Sequence, residues 1–170
     1  MKNTIEIMNE LKKEKLIKDY AIGGAIGALK WVEPFFTRDL DIFIIPVGET
    51  EKELINLSPI YEYLKKKGCY WKKQWIIIKE IPVDFIPADA LGKEAVENAK
   101  ETEYDGIKTK VITPEYLIPL FLKAGRDKDV RKIEMLLEQA KINAEKLDEV
   151  LKKYGLTRKF SRLKKRRYGR

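Results

Sequence analysis

Asp39 and Asp41 sit two residues apart at the head of the apolar run 40–45. Residues i and i+2 of a strand project to one face, so both carboxylates point the same way. Like charges placed side by side repel unless a cation neutralises them. Hard oxygen donors at this spacing suit Mg²⁺ or Mn²⁺; Mg²⁺ takes one or two carboxylates and completes its shell with water and phosphate oxygens. Upstream, Gly23-Gly24 precedes a run of small and apolar residues. Glycine there lets backbone amides approach a phosphate at a helix N-terminus. The residues together describe a nucleoside-triphosphate site.

A third carboxylate completes the pattern. Asp84 lies in Pro-Val-Asp-Phe-Ile, an apolar strand where an unpaired buried charge is costly, which favours a ligand role. Its rival Asp89 follows Pro87 and reads as the cap of the next helix. Arg38, beside the pair, is placed either to contact a phosphate or to neutralise the carboxylates. Lys123 and Arg126 flank a Gly125 break between apolar helices and are candidates for the triphosphate tail. Asp129 is expected to pair with a lysine or arginine. An Asp-x-Asp pair or a glycine pair alone is a weak signal; the joint pattern carries the weight.

The elements that must position these groups follow from hydrophobic period and punctuation. A first amphipathic helix is expected over 4–15, a strand over 20–22 and a helix over 25–32 that Pro34 ends. The strand 40–45 is followed by a long helix over 51–67, capped by Thr50, with Leu54, Leu57, Ile60, Tyr61 and Leu64 inward. Strands are expected over 69–71, 75–79 and 82–86, then a helix over 90–100. Asp105-Gly106 signals a hairpin between 102–104 and 107–112. Thr113-Pro114 starts a helical region that breaks near 125–127 and 142–143. Tyr70, Trp71 and Trp75 could stack a base, although aromatics in strands are more often core. The fold class is α+β: a mixed sheet with flanking helices over 1–112, a small helical part over 113–151 packed on it, and a basic tail over 152–170.

Composition bounds the chemistry. The chain has 170 residues, no histidine and a single cysteine, Cys69. Catalytic histidine and Cys/His zinc sites are excluded, and an intramolecular disulfide is impossible. A reducing, cytoplasmic location is the expectation. No apolar run approaches the ~18 residues that span a bilayer, and the N-terminus reads as a mixed-charge helix start, so no membrane association is expected. The net charge of +8 is uneven. Residues 152–170 carry ten cations and no acid, leaving the remainder at −2. Such asymmetry points to a polyanion met by the tail, and Tyr154, Phe160 and Tyr168 interleaved there suit RNA.

These residues resemble the nucleotidyltransferase superfamily with the DNA polymerase β-like fold. A Gly-Gly turn precedes a helix, Asp39-Leu40-Asp41 opens the next strand, and Asp84 stands on a nearby one. The segment 37–42 and Leu-Phe-Leu-Lys-Ala-Gly-Arg-Asp-Lys-Asp (120–129) look like the AbiEii-type abortive-infection or toxin branch. The resemblance covers roughly residues 18–140. It implies transfer of a nucleoside monophosphate from an NTP to a hydroxyl. Asp39 and Asp41 would bridge two metal ions, and Asp84 would bind the catalytic ion only. Gly23 and Gly24 would hold the β- and γ-phosphates. The acceptor is open among RNA, protein and small molecules; the basic tail favours RNA, tRNA-like, with a toxin or phage-defence role and an antitoxin partner. A non-catalytic nucleotide- or RNA-binding module of the same fold is the alternative.

Overall fold

The computed structural model describes residues 1–48 and 56–169. In chain order the elements are α1 (Lys2–Lys13), β1 (Ile17–Ile22), α2 (Gly24–Ala28), β2 (Leu40–Pro46), α3 (Ser58–Lys66), β3 (Tyr70–Lys72), β4 (Trp75–Ile78) and β5 (Ile81–Pro87). Then come α4 (Ala90–Glu97), β6 (Lys100–Tyr104), β7 (Ile107–Val111), α5 (Pro114–Ala124), α6 (Asp127–Gln139), α7 (Ala144–Lys153) and α8 (Thr157–Tyr168). Seven strands form one mixed sheet in the order β3-β4-β5-β2-β1-β7-β6. The β2–β5 and β1–β7 pairs are parallel and the others antiparallel.

Alternation along the central strands builds two cores. Leu40, Ile42 and Ile44 of β2 and Val83 and Phe85 of β5 face Ile5, Met8 and Leu11 of α1 and Ile60 and Leu64 of α3. Phe43 and Ile45 face the other way, onto Leu91 and Ala95 of α4 and Tyr116, Leu117 and Phe121 of α5. The same second core continues into Ile133 and Leu136 of α6 and Leu147, Val150 and Leu151 of α7. Glu94 ties the layers together, accepting hydrogen bonds from Tyr116 Oη (3.0 Å), Lys153 Nζ (2.6 Å) and Tyr154 Oη (2.5 Å). These donors, Lys153 first and then Tyr154, draw its pKa down to about 2.

Expected and observed elements differ in informative places. The helix after Gly23-Gly24 is one short turn pair, Gly24–Ala28, because glycines at 24 and 27 weaken it. The expected cap at Thr50 and the inward Leu54 lie outside the described residues; α3 itself begins at Ser58. The helix after Pro87 stops at Glu97, and 100–104 pairs with β7 across Asp105 (φ 49°) and Gly106 (φ 77°), the left-handed pair a two-residue hairpin demands.

The largest correction concerns the tail. The basic tail over 152–170 was expected to be a mobile arm or an early-fraying helix without acidic partners; residues 152–153 close α7, 157–168 form α8, and several of the cations do have carboxylate partners. Leu156 is buried, and Phe160 and Leu163 follow it at i+4 and i+7 onto the second core. Arg167 bridges Glu134 and Glu138 of α6, Lys152 pairs with Asp148, and Lys153 with Glu94. Leu156→Ala should therefore cost about 2–4 kcal/mol of unfolding free energy, the range for a buried leucine. A urea midpoint equal to wild type, at unchanged slope, would return α8 to the status of a dispensable arm.

Candidate active site

Sheet register brings the three sequence-predicted carboxylates together. β2 and β5 run parallel with Asp41 opposite Asp84 and Leu40 opposite Val83. Paired residues of neighbouring strands share a face. Leu40 and Val83 belong to the α1–α3 core, so Asp41 and Asp84 project from the opposite face, the one covered by α2, α4 and α5. Asp39 precedes β2 by one residue and stands beside them.

The electrostatics record the crowding. Burial, then the charges of Asp39 and Asp84, push the Asp41 carboxyl up to about 6. Burial, then Asp39, raises Asp84 as well, against the opposing charge of Arg126. Among the described residues no side chain hydrogen-bonds or ion-pairs with Asp39, Asp41 or Asp84. Asp19, Asp89 and Asp129, by contrast, each hold a lysine or arginine. Three adjacent hard-oxygen donors without a protein partner fit a divalent cation of the Mg²⁺ kind. Among the described residues no group of three or more histidine, cysteine, aspartate or glutamate side chains is arranged to hold a metal ion by itself. A cation here would therefore draw ligands from water and phosphate too.

The glycine pair serves this site differently from the expectation. Gly23 N–H donates to the Asp41 carbonyl at 2.9 Å, so the sheet ladder already claims that amide. Gly24 has φ +55°, and a Cβ there would lie 1.7 Å from Asp41 Oδ2. Only glycine leaves room for the carboxylate and adopts this backbone freely.

Opposite the carboxylates stands a basic wall built on α6. The chain turns at Gly125 (φ 65°), and Arg126 caps α6. Asp129 is fully buried and accepts from Arg126 Nε at 2.6 Å and Lys132 Nζ at 2.7 Å. This anion fixes two cations whose charges both reach Asp41. A cleft of about 390 Å³ lies between, lined by Asp39, Asp41, Arg38, Arg126, Lys128, Arg131 and Lys132, with Phe35, Phe36 and Met135 at its apolar side. Phe36 is 82% exposed, and the Arg38 guanidinium lies 5.5 Å from its ring centroid.

Of the predicted basic residues, Arg38 and Arg126 line the cleft and Lys123 does not. Lys123 Nζ binds Asp89 Oδ2 at 2.5 Å, and Asp89 also caps α4 by accepting from Gly92 N–H. Asp89 lies past the end of β5, five residues beyond Asp84, so the left-handed turn at Gly125 separates Lys123 from the site that Arg126 enters. Lys128, Arg131 and Lys132 were not anticipated. Their signal was the Asp129–Lys132 spacing of i, i+3, which places an ion pair on one helix face.

No protein-family model matches this sequence, and no curated protein does. Solved structures do. An antigenic nucleotidyltransferase-like protein from Paracoccidioides brasiliensis superposes with a TM-score of 0.56 at 16% identity, over 94% of this chain and 89% of that one. The antibiotic-resistance factor ANT(2'')-Ia in solution gives 0.51 at 14% identity, over 99% and 98%. Its crystal structure in complex with adenylyl-2''-tobramycin gives 0.50 at 15%, over 94% and 96%. The chain has the nucleotidyltransferase fold. Within this fold Asp39, Asp41 and the α6 wall are the two sides of one cleft, and Asp84, abreast of Asp41, is not among the residues that line it.

The crowding of Asp41 has a consequence for stability. The native state holds its proton to about pH 6, whereas an unfolded aspartate releases it near 3.8. Stability present below that lower value is lost as pH rises to the upper one. In metal-free protein, Asp41→Asn should raise the unfolding free energy at pH 8 by on the order of 2 kcal/mol and have little effect near pH 3. A melting temperature at pH 8 no higher than wild type would show that the Asp41 charge is already compensated.

Proposed function

We propose that this chain is a Mg²⁺- or Mn²⁺-dependent nucleotidyltransferase that moves a nucleoside monophosphate from an NTP to a hydroxyl of RNA. The observation that carries this reading is the row of three partnerless carboxylates, two of which, Asp39 and Asp41, line a cleft with five cations. A divalent ion held by Asp39, Asp41 and Asp84 would neutralise phosphate charge and lower the pKa of an attacking hydroxyl. Arg126 and Lys132, held by Asp129, supply fixed positive charge to the triphosphate tail, which no single cation balances. Arg38 and Lys128 add charge at the rim, and Phe36 offers a ring to the base. The acceptor oxygen bonds to the α-phosphorus, the bond to the bridging oxygen breaks, pyrophosphate leaves, and the hydroxyl proton passes to solvent.

Charge supports RNA over the other acceptors. On α8, Arg158, Lys159, Arg162, Lys164, Lys165 and Arg166 pair with no carboxylate among the described residues. Arg162 and Arg166 share a cavity with Asp127, Val130 and Glu134 of α6, next to the face that walls the cleft. The unpaired cations of α8 thus stand beside α6, the positive footprint that a polyanion requires. The likeness to ANT(2'')-Ia with adenylyl-2''-tobramycin favours a small-molecule acceptor. The 37–42 and 120–129 segments support an AbiEii-like toxin or phage-defence role, with an antitoxin partner in the cytoplasm.

Incubation with α-labelled NTPs, Mg²⁺ and total RNA tests the reaction. Wild type should label RNA, and Asp41→Ala should label none while melting no lower than wild type. Undiminished labelling by Asp41→Ala would sink the mechanism. Arg126→Ala should weaken ATP binding roughly tenfold or more, the loss of a charge-assisted contact. Lys123→Ala should leave ATP affinity unchanged, as read by titration calorimetry.

A further inference from the structure

The β3–β4 hairpin extends the carboxylate face of the sheet beyond Asp84. β4 pairs with β5 through Ile76–Val83 and Ile77–Pro82, so the next step of that register sets Trp75 abreast of Asp84. β3 adds Lys72 opposite Trp75 and Tyr70 opposite Ile77. Paired residues share a face, so Lys72, Trp75, Asp84 and Asp41 form one row across four strands. Parity agrees: Ile76 and Ile78 sit in the α1–α3 core, which leaves Trp75 and Ile77 on the side of Asp84.

These aromatic residues are not core. Trp75 is half-buried and Tyr70 is 59% exposed, and neither belongs to either hydrophobic core. Among the described residues, the main contacts of β3 and β4 are with each other and with β5. Trp71 is different: it lies on the other face, edge-on to Tyr61 at 5.0 Å between centroids. Lys72 is exposed and ion-pairs with no carboxylate among the described residues. Rings left at the surface beside an unpaired ammonium match one ligand chemistry well: bases stack on the rings and phosphates meet the cation.

We infer that Tyr70, Lys72 and Trp75 form the acceptor subsite, stacking the last unpaired base of an RNA strand so that its terminal hydroxyl reaches Asp84. The inference rests on the nucleotidyltransferase reading and adds where and by what contacts the acceptor docks. The cleft on the α6 side of Asp41 then takes the NTP, and the hairpin side of Asp84 takes the strand end. The two substrates approach the carboxylates from opposite directions, as transfer between them needs.

The test uses the full chain and a fluorescein-labelled single-stranded oligoribonucleotide, followed by anisotropy with Mg²⁺ at fixed salt. Trp75→Ala should weaken binding about tenfold or more, the scale of one lost base–aromatic stack. Trp75→Phe, which keeps a ring, should stay within about threefold. Lys72→Glu, at an exposed position, should weaken binding and flatten its salt dependence. A blunt duplex of the same sequence should bind more weakly than the single strand. ATP affinity should be unchanged in all three variants. Wild-type binding by Trp75→Ala and Lys72→Glu, equal binding of the blunt duplex, or no binding by wild type would each overturn the subsite. Labelling of protein in place of RNA would overturn it too. If Trp75→Ala loses the oligonucleotide but wild type transfers nothing to it, the subsite stands and the transferase reading falls. If transfer persists in Trp75→Ala with an unchanged KM for RNA, the reverse holds.

Discussion

Repulsion among Asp39, Asp41 and Asp84 is the constraint around which the rest of this structure is arranged. Three carboxylates on two adjacent parallel strands, with Asp41 and Asp84 in direct register, oppose folding unless something positive is near. The protein answers at a distance and not by contact. Gly24 gives up a side chain so that the Asp41 carboxylate has space, and Arg126 and Lys132 face it from α6 without closing on it. Close salt bridges would relieve the repulsion and also occupy the oxygens that a metal needs.

The cations are held back by Asp129. A buried anion flanked by an arginine and a lysine is stable only as a set, since loss of one member strands a charge in low dielectric. Here the set gives the wall of the cleft a fixed geometry. Its rigidity passes to the sheet through the core shared by α5, α6 and α7 and through Glu94, which gathers two phenols and an ammonium from two of those helices.

Much of this was legible in the residues. The i, i+2 aspartates, the third aspartate in an apolar strand, the Asp105-Gly106 hairpin and the breaks at Gly125 and Asn143 are local signals, and local physics decides them. Three features were hidden because they depend on direction or on partners distant in sequence. Lys123 and Arg126 are neighbours in the chain, yet a left-handed residue between them sends one to Asp89 and the other to the cleft. Gly23 lost its expected role because sheet pairing, invisible in a single strand, takes its amide. The packing of the tail was obscured by its charge: the ten cations of 152–170 outweighed Leu156, Phe160 and Leu163, whose helical spacing marked a stripe on the core. The aromatics of β3 and β4 were legible as strand residues, but only the sheet register sets Trp75 abreast of Asp84.

The dual use of α6 bears on how this sequence can vary. One side of its turns carries Lys128, Arg131 and Lys132 to the cleft, another carries Glu134 and Glu138 to Arg167, and Ile133 and Leu136 fill the core between them. Almost no position on the helix is left to drift. The strands of the sheet, by contrast, ask only for alternating apolar residues, a demand that many sequences meet. A substitution in the sheet that keeps the alternation leaves its order standing, whereas one on α6 disturbs the cleft, the core or the contact with α8.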